Sequence, residues 1–220
     1  MIPLPDAVSD EVGCQLIAMP LSAVMLLEYL QLEPRQWFIQ NTANGAVGKT
    51  LAMLANARGI HAVNLVRREA GIAELAEIGI GNAVSTESDG WKNRVREIVG
   101  DAPLVAGVDS VGGEASGDVL GLLGESGTLV SFGAMSGQPM RLNSGDAIFK
   151  QATVKGFWAS KVSEATSGAD KARMIGELLI LAASGELKLQ VEAVFDVENA
   201  ALAAAASEKS ARKGKVLLRF

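Results

Sequence analysis

Phe38-Ile39-Gln40-Asn41-Thr42-Ala43-Asn44-Gly45-Ala46-Val47-Gly48-Lys49-Thr50 is the stretch on which the fold turns. A short apolar run enters a turn of small residues, and the turn opens a helical pattern with Val47, Leu51 and Leu54 on one face. That pattern closes at Gly59, a good C-terminal stop. Residues 43–48 read as GxGxxG with alanine at the first glycine. Small residues are needed there because the backbone turns sharply, an anion approaches the main chain, and the helix packs closely on the strand. The free N–H groups of the helix start then face a pyrophosphate. The same residues carry a competing pattern. Ala43-xxxx-Gly48-Lys49-Thr50 is one substitution from the GxxxxGK[ST] P-loop, and 104–109 could supply its magnesium-holding Asp109. In the dinucleotide reading Lys49 is simply a surface residue of the helix.

Outward from this turn the chain alternates. Strands are expected at 37–40, 62–66, 83–85, 104–108, 129–132 and 153–158. Helices are expected at 72–78, 91–99, 115–123 and about 170–183. Strands without polar alternation, each followed by a helix, indicate a parallel sheet covered on both faces. Six strands predict an α/β doubly wound Rossmann sheet of order 3-2-1-4-5-6. Residues 1–30 read as an N-terminal loop and helix, with helix over 14–31 interrupted or capped near Pro20. Residues 31–185 form the dinucleotide-binding domain. Residues 186–220 form a C-terminal segment with a strand at 191–195, an Ala-rich helix at 197–207 and a strand at 216–218.

The second strand separates the two readings, since a P-loop requires nothing particular at its end. Arg67 and Arg68 stand there, the first 19 positions beyond Gly48. An NAD-selective site places a carboxylate near this point for the ribose hydroxyls. Arginine instead matches a 2′-phosphate dianion, so the cofactor implied is NADPH.

Composition narrows the partners. The 220 residues carry a net charge of −5 with one dense basic cluster, Arg212-Lys213-Gly214-Lys215, which argues against nucleic acid. One cysteine (Cys14) and one histidine (His61) cannot make a Cys/His zinc site, so no metal is expected. Cys14 lies in an apolar stretch and is expected to be buried; His61 is read as a bystander. The longest apolar stretch, 16–27, is too short to span a bilayer, and no basic leader precedes it. A soluble protein of the cytoplasm or of an organelle matrix is expected, without membrane contact.

Taken together, residues 38–48, Asn64-Leu65-Val66-Arg67-Arg68, 108–113, 127–136, Lys155-Gly156-Phe157-Trp158 and 214–218 resemble the medium-chain dehydrogenase/reductase superfamily. They are most similar to its zinc-free branch of quinone oxidoreductases and mitochondrial-type trans-2-enoyl-thioester reductases. The resemblance runs from about residue 10 to 220.

It implies roles by position. Asn41, Ala43, Asn44, Gly45, Ala46, Val47 and Gly48 would surround the pyrophosphate, and Arg67 with Arg68 the 2′-phosphate. Ser110, Val111, Phe132, Gly133, Ala134 and Met135 would lie along the ribose and nicotinamide, with Phe157 and Trp158 towards the substrate. It also implies a homodimer through the sixth strand, near 152–158. Family members begin with a β-rich catalytic domain, and nothing like it is visible here. The reductase proton donor would come from that domain, so catalytic residues stay unassigned. The lone Tyr29 is followed at the short-chain dehydrogenase offset by Glu33, which disfavours that family. The implied function is the NADPH-binding part of an oxidoreductase that passes hydride to an activated C=C, as in an enoyl thioester, or to a quinone. A non-catalytic NADPH-binding or sensing module and a P-loop nucleotide hydrolase are the alternatives.

Overall fold

The computed structural model describes residues 3–209 and 212–220. In chain order the elements are α1 (Asp10–Gly13), α2 (Met19–Leu30), β1 (Trp37–Gln40), α3 (Ala46–Ala57), β2 (His61–Val66) and α4 (Ala70–Ala76). They continue with β3 (Ala83–Ser85), α5 (Trp91–Val99), β4 (Leu104–Asp109), α6 (Glu114–Leu122), β5 (Thr128–Ser131), α7 (Ser144–Phe149) and β6 (Thr153–Gly156). Then come α8 (Ala159–Ala165), α9 (Gly168–Ala183), β7 (Val191–Asp196), a 3-10 turn (Val197–Asn199), α10 (Ala200–Glu208) and β8 (Lys215–Arg219).

The first six strands form one all-parallel sheet of order β3-β2-β1-β4-β5-β6, as the alternation predicts. Successive side chains of β1 point to opposite faces. Phe38 joins a core with α2, α3 and α9, while Ile39 joins one with α5 and α6. Both are fully buried, and each contributes about 2–3 kcal/mol by leaving water. Strands β7 and β8 form a separate parallel pair bridged by α10.

Four local expectations change. The helix expected over 14–31 begins at Met19, with proline in its first turn where the missing N–H costs nothing. Residues 14–18 are turns after the one-turn α1. The strand expected to reach Trp158 ends at Gly156. Helices α7 and α8 fall in stretches for which no helix is expected. Cys14, expected to be buried, is exposed, because it caps α1 on the surface and its Sγ is 3.4 Å from the Glu11 carbonyl. His61 is exposed and stacks on Trp37 with centroids 4.7 Å apart.

Candidate nucleotide-binding crevice

Strand order reverses between β1 and β4, and in open α/β sheets a crevice forms beyond the carboxyl ends of the strands at that point. A cleft of about 1250 Å³ lies there. One wall is the turn after β1. Helix α3 starts at Ala46 with extended Gly45 before it and no side-chain cap, so its first N–H groups are left for an anion. A Cβ on Gly48 would come within 2.7 Å of the Thr42 carbonyl oxygen and of Ala43 Cα, both backbone, so only glycine permits this approach of helix to strand. Ala43, where the pattern has its first glycine, is fully buried with its N–H donating to the Leu65 carbonyl.

Buried amides hold the turn from beneath. Gln40 Nε2 donates to the Gly48 carbonyl at 2.9 Å and to Asn64 Oδ1 at 2.8 Å, and Asn64 Nδ2 donates to the Gly81 carbonyl. Asn44 Nδ2 reaches Glu74 on α4.

The loop after β4 is organised by Asp109. Its carboxylate is fully buried and accepts from Asn41 Nδ2 at 2.6 Å, Ser116 Oγ at 2.5 Å and the N–H groups of Val111 and Gly112. Asn41 completes the clamp by accepting from the Ser110 N–H at 2.8 Å. The loop after β5 locks onto this one: Met135 and Ser136 N–H groups donate to the Ser110 and Val111 carbonyls. Gly133 lies so close that a Cβ would be 2.9 Å from the Ser110 carbonyl oxygen.

Arg67 and Arg68 follow β2, exposed, on the cleft wall. Among the described residues neither guanidinium has a carboxylate within salt-bridge distance.

Of the residues expected at the site, Asn41, Asn44, Gly45, Ala46, Val47, Gly48, Arg67, Arg68, Ser110, Val111, Phe132 and Met135 line the cleft together. Ala43, Gly133, Ala134, Phe157 and Trp158 do not. Ala43 and Gly133 shape it from behind. Phe157 is buried against Phe132 and Tyr29, with centroids 5.7 and 5.3 Å apart, so it supports the wall rather than forming it. Trp158 is 66% exposed and turned to solvent.

The P-loop alternative fails on the same geometry. Thr50 is buried and its hydroxyl donates to the Ala46 carbonyl, Asp109 is saturated internally, and Lys49 is engaged elsewhere. Lys49 corrects the sequence reading most sharply. Expected on the surface, it is only 7% exposed, and its Nζ donates to Gln190 Oε1 at 2.7 Å and to the Lys213 carbonyl at 2.8 Å. Burial pulls its pKa below the usual lysine value, with Glu74 opposing in part.

The opposite wall, absent from the sequence expectation, comes from the C-terminal segment: 188–190, Lys209 and 212–217. No group of three or more His, Cys, Asp or Glu capable of holding a metal occurs among the described residues. No helix among them is long and apolar enough to cross a membrane.

Comparison with known proteins agrees with this fold. The family model described as zinc-binding dehydrogenase matches residues 46–172. The mitochondrial enoyl-[acyl-carrier-protein] reductase of Arabidopsis thaliana is 35% identical over 181 residues, which is 80% of this chain and 48% of that protein. The chain therefore spans about half the length of the curated relatives it matches. Among solved structures, a quinone oxidoreductase of Pseudomonas syringae superposes with a TM-score of 0.82 at 24% identity, covering 100% of this chain and 67% of its own. A complex of the reductase Etr1p with NADP and crotonyl-CoA gives 0.82 at 24% identity, covering 97% and 62%.

Proposed function

This chain belongs to the zinc-binding dehydrogenase family, within the medium-chain dehydrogenase/reductase superfamily and similar to its zinc-free enoyl and quinone reductases, and on that premise we propose that it is the NADPH-binding half of a reductase acting on an activated C=C or a quinone. The observation that carries the reading is the pair Arg67 and Arg68, exposed beside the glycine turn without an acidic partner among the described residues. Two guanidinium groups at the end of the second strand supply the fork geometry a 2′-phosphate takes.

The remaining wall residues have matching tasks. Ala46 to Gly48 present free N–H groups and a positive helix end to the pyrophosphate. The Asn41–Asp109 clamp holds Ser110 and Val111 at a fixed height beside the nicotinamide ribose, with Phe132 and Met135 closing the far side. NADPH, when bound, supplies the hydride, and the protein's part is to orient it and exclude water. Residues 186–220 belong, in this reading, to the substrate side of the site. The relatives named enoyl reductase and the solved complex with NADP and crotonyl-CoA support this choice of chemistry.

The reading includes a homodimer formed by pairing β6 edges. β6 ends the sheet, and Ile148, Phe149 and Trp158 stand 66, 84 and 66% exposed near it. Such an edge is a template for a second chain.

Fluorescence titration with NADPH, with Mg-ATP alongside, tests the reading. Saturable NADPH binding and indifference to Mg-ATP are expected. Mg-ATP binding with indifference to NADPH would overturn it.

A further inference from the structure

A lysine ammonium is rarely taken out of water unless something specific holds it. Lys49 sits one residue beyond Gly48, and its Nζ bonds to both arms of the C-terminal unit, Gln190 just before β7 and Lys213 just before β8. Those two arms already touch. The Lys215 N–H donates to the Gln190 carbonyl at 2.9 Å, and a Cβ on Gly214 would be 2.4 Å from that same oxygen. Lys49 therefore grips the point where the unit's two strands begin. Other fastenings differ between the arms. On the Gln190 side the buried Leu187 joins the main core with Leu189 packed against it, and the Lys188 N–H reaches Met53 Sδ at 3.3 Å. On the Lys213 side the tie is Lys213 Nζ to Glu77 at 2.8 Å, with both side chains about half exposed. The crevice lies between the glycine turn and this unit, and Lys49, Gln190 and Lys213 all line it.

We infer that Lys49 is a positioning residue: it seats the 186–220 unit on the nucleotide domain as the second wall of the crevice, so that wall docking and dinucleotide binding are coupled. The ammonium touches no reacting atom. It acts through Gln190 and Lys213, and the coupling, though not the docking, rests on the dinucleotide reading above. An exposed ion pair such as Lys213–Glu77 holds weakly and loosens with salt. Two short bonds from a buried cation are stronger and far less screened.

The test uses the whole chain and has two separate readouts. Hydrogen exchange of the nucleotide-free protein reads docking. In Lys49→Met, which keeps length and loses the donors, the β7 and β8 amides should exchange about tenfold faster while those of β1 and β4 hold their protection. Gln190→Ala should reproduce part of this, and adding it to Lys49→Met should change nothing further, because the bond it removes is already lost there. NADPH and NADH titration reads coupling. Lys49→Met should weaken both about equally and leave their ratio intact.

Unchanged exchange in β7 and β8 would overturn the seating role whatever the nucleotide does. Faster exchange with unchanged affinity would overturn the coupling alone. Wild-type chain that binds neither dinucleotide would sink the functional reading and leave the seating role standing. If Lys49→Met fails to fold, Gln190→Ala decides, since Gln190 lies outside the sheet's core, and unchanged β7 and β8 exchange in it would overturn the seating role.

Discussion

Strand β1 buries three of its four residues, Phe38, Ile39 and Gln40, whereas β7 buries none of its six and β8 none of its five. Both regions are parallel strands joined through helices. The difference lies in what covers them. The six-stranded sheet has helices on both faces and two packed cores. The β7–β8 pair has α10, in which Ala203 alone is buried, and it presents Leu202, Leu218 and Phe220 to solvent. One region is held by burial throughout; the other is tied to its neighbour by Leu187, which joins the main core just before β7, and by a few polar contacts. The crevice between them has one wall built on two packed cores and one wall whose place depends on fewer contacts.

The sharpest way to break that comparison is to remove one phenylalanine from each region. Phe38→Ala should cost about 4 kcal/mol in chemical denaturation, since a fully buried ring leaves a cavity between sheet and helices. Phe195→Ala, in β7, should cost less than about 1 kcal/mol, because the ring is only partly covered. Equal costs would mean that the C-terminal pair shares the main core after all.

Next in size is Gly48→Val. Its β-carbon must displace backbone at Thr42 and Ala43, so the wall built on the two cores should lose about 3 kcal/mol together with nucleotide binding. Retained binding would show that the turn is more yielding than the sheet beneath it.

Lys49 offers a smaller, pH-dependent effect. Its pKa is lower in the folded chain than the ordinary 10.5, so over the window between the two values the unfolded chain binds the extra proton. Stability then rises with pH through that window, and the cost of burying the charge is present in full below it. Denaturation of wild type minus Lys49→Met, followed from neutral pH to 10.5, should show wild type gaining. A flat difference would place the ammonium in contact with water.

These contrasts also mark how far the sequence could be read. The sheet was legible because short apolar runs alternate with helical patterns that end at glycines such as Gly59, Gly79, Gly100 and Gly124, and because residues 43–48 place small side chains where helix and strand must meet. The position of Arg67 follows from the end of the second strand, and those of Ser110 and Phe132 from the family resemblance. What escaped depends on distance along the chain. Lys49 looked like a solvated helix residue because its partners lie 141 and 164 positions away. Nothing local marks 188–190 and 212–217 as a wall. Cys14 was misread because its apolar neighbours belong to turns that leave the thiol outside. Trp158 is placed towards the substrate by the resemblance, but the strand expected to carry it ends two residues earlier and the ring is exposed. Helix α7 had one usable signal, Asn143, whose side chain accepts from the Gly145 N–H as a cap, but six residues carry too little periodicity to show.

The most direct test of the account is the ratio of NADPH to NADH affinity in wild type and in Arg67→Ala, measured by calorimetry on the same preparations. The account predicts that wild type prefers NADPH and that the variant loses about tenfold in NADPH affinity while NADH binding stays as it was. Equal loss for both dinucleotides, or no loss for either, would contradict the placement of the 2′-phosphate at the end of β2.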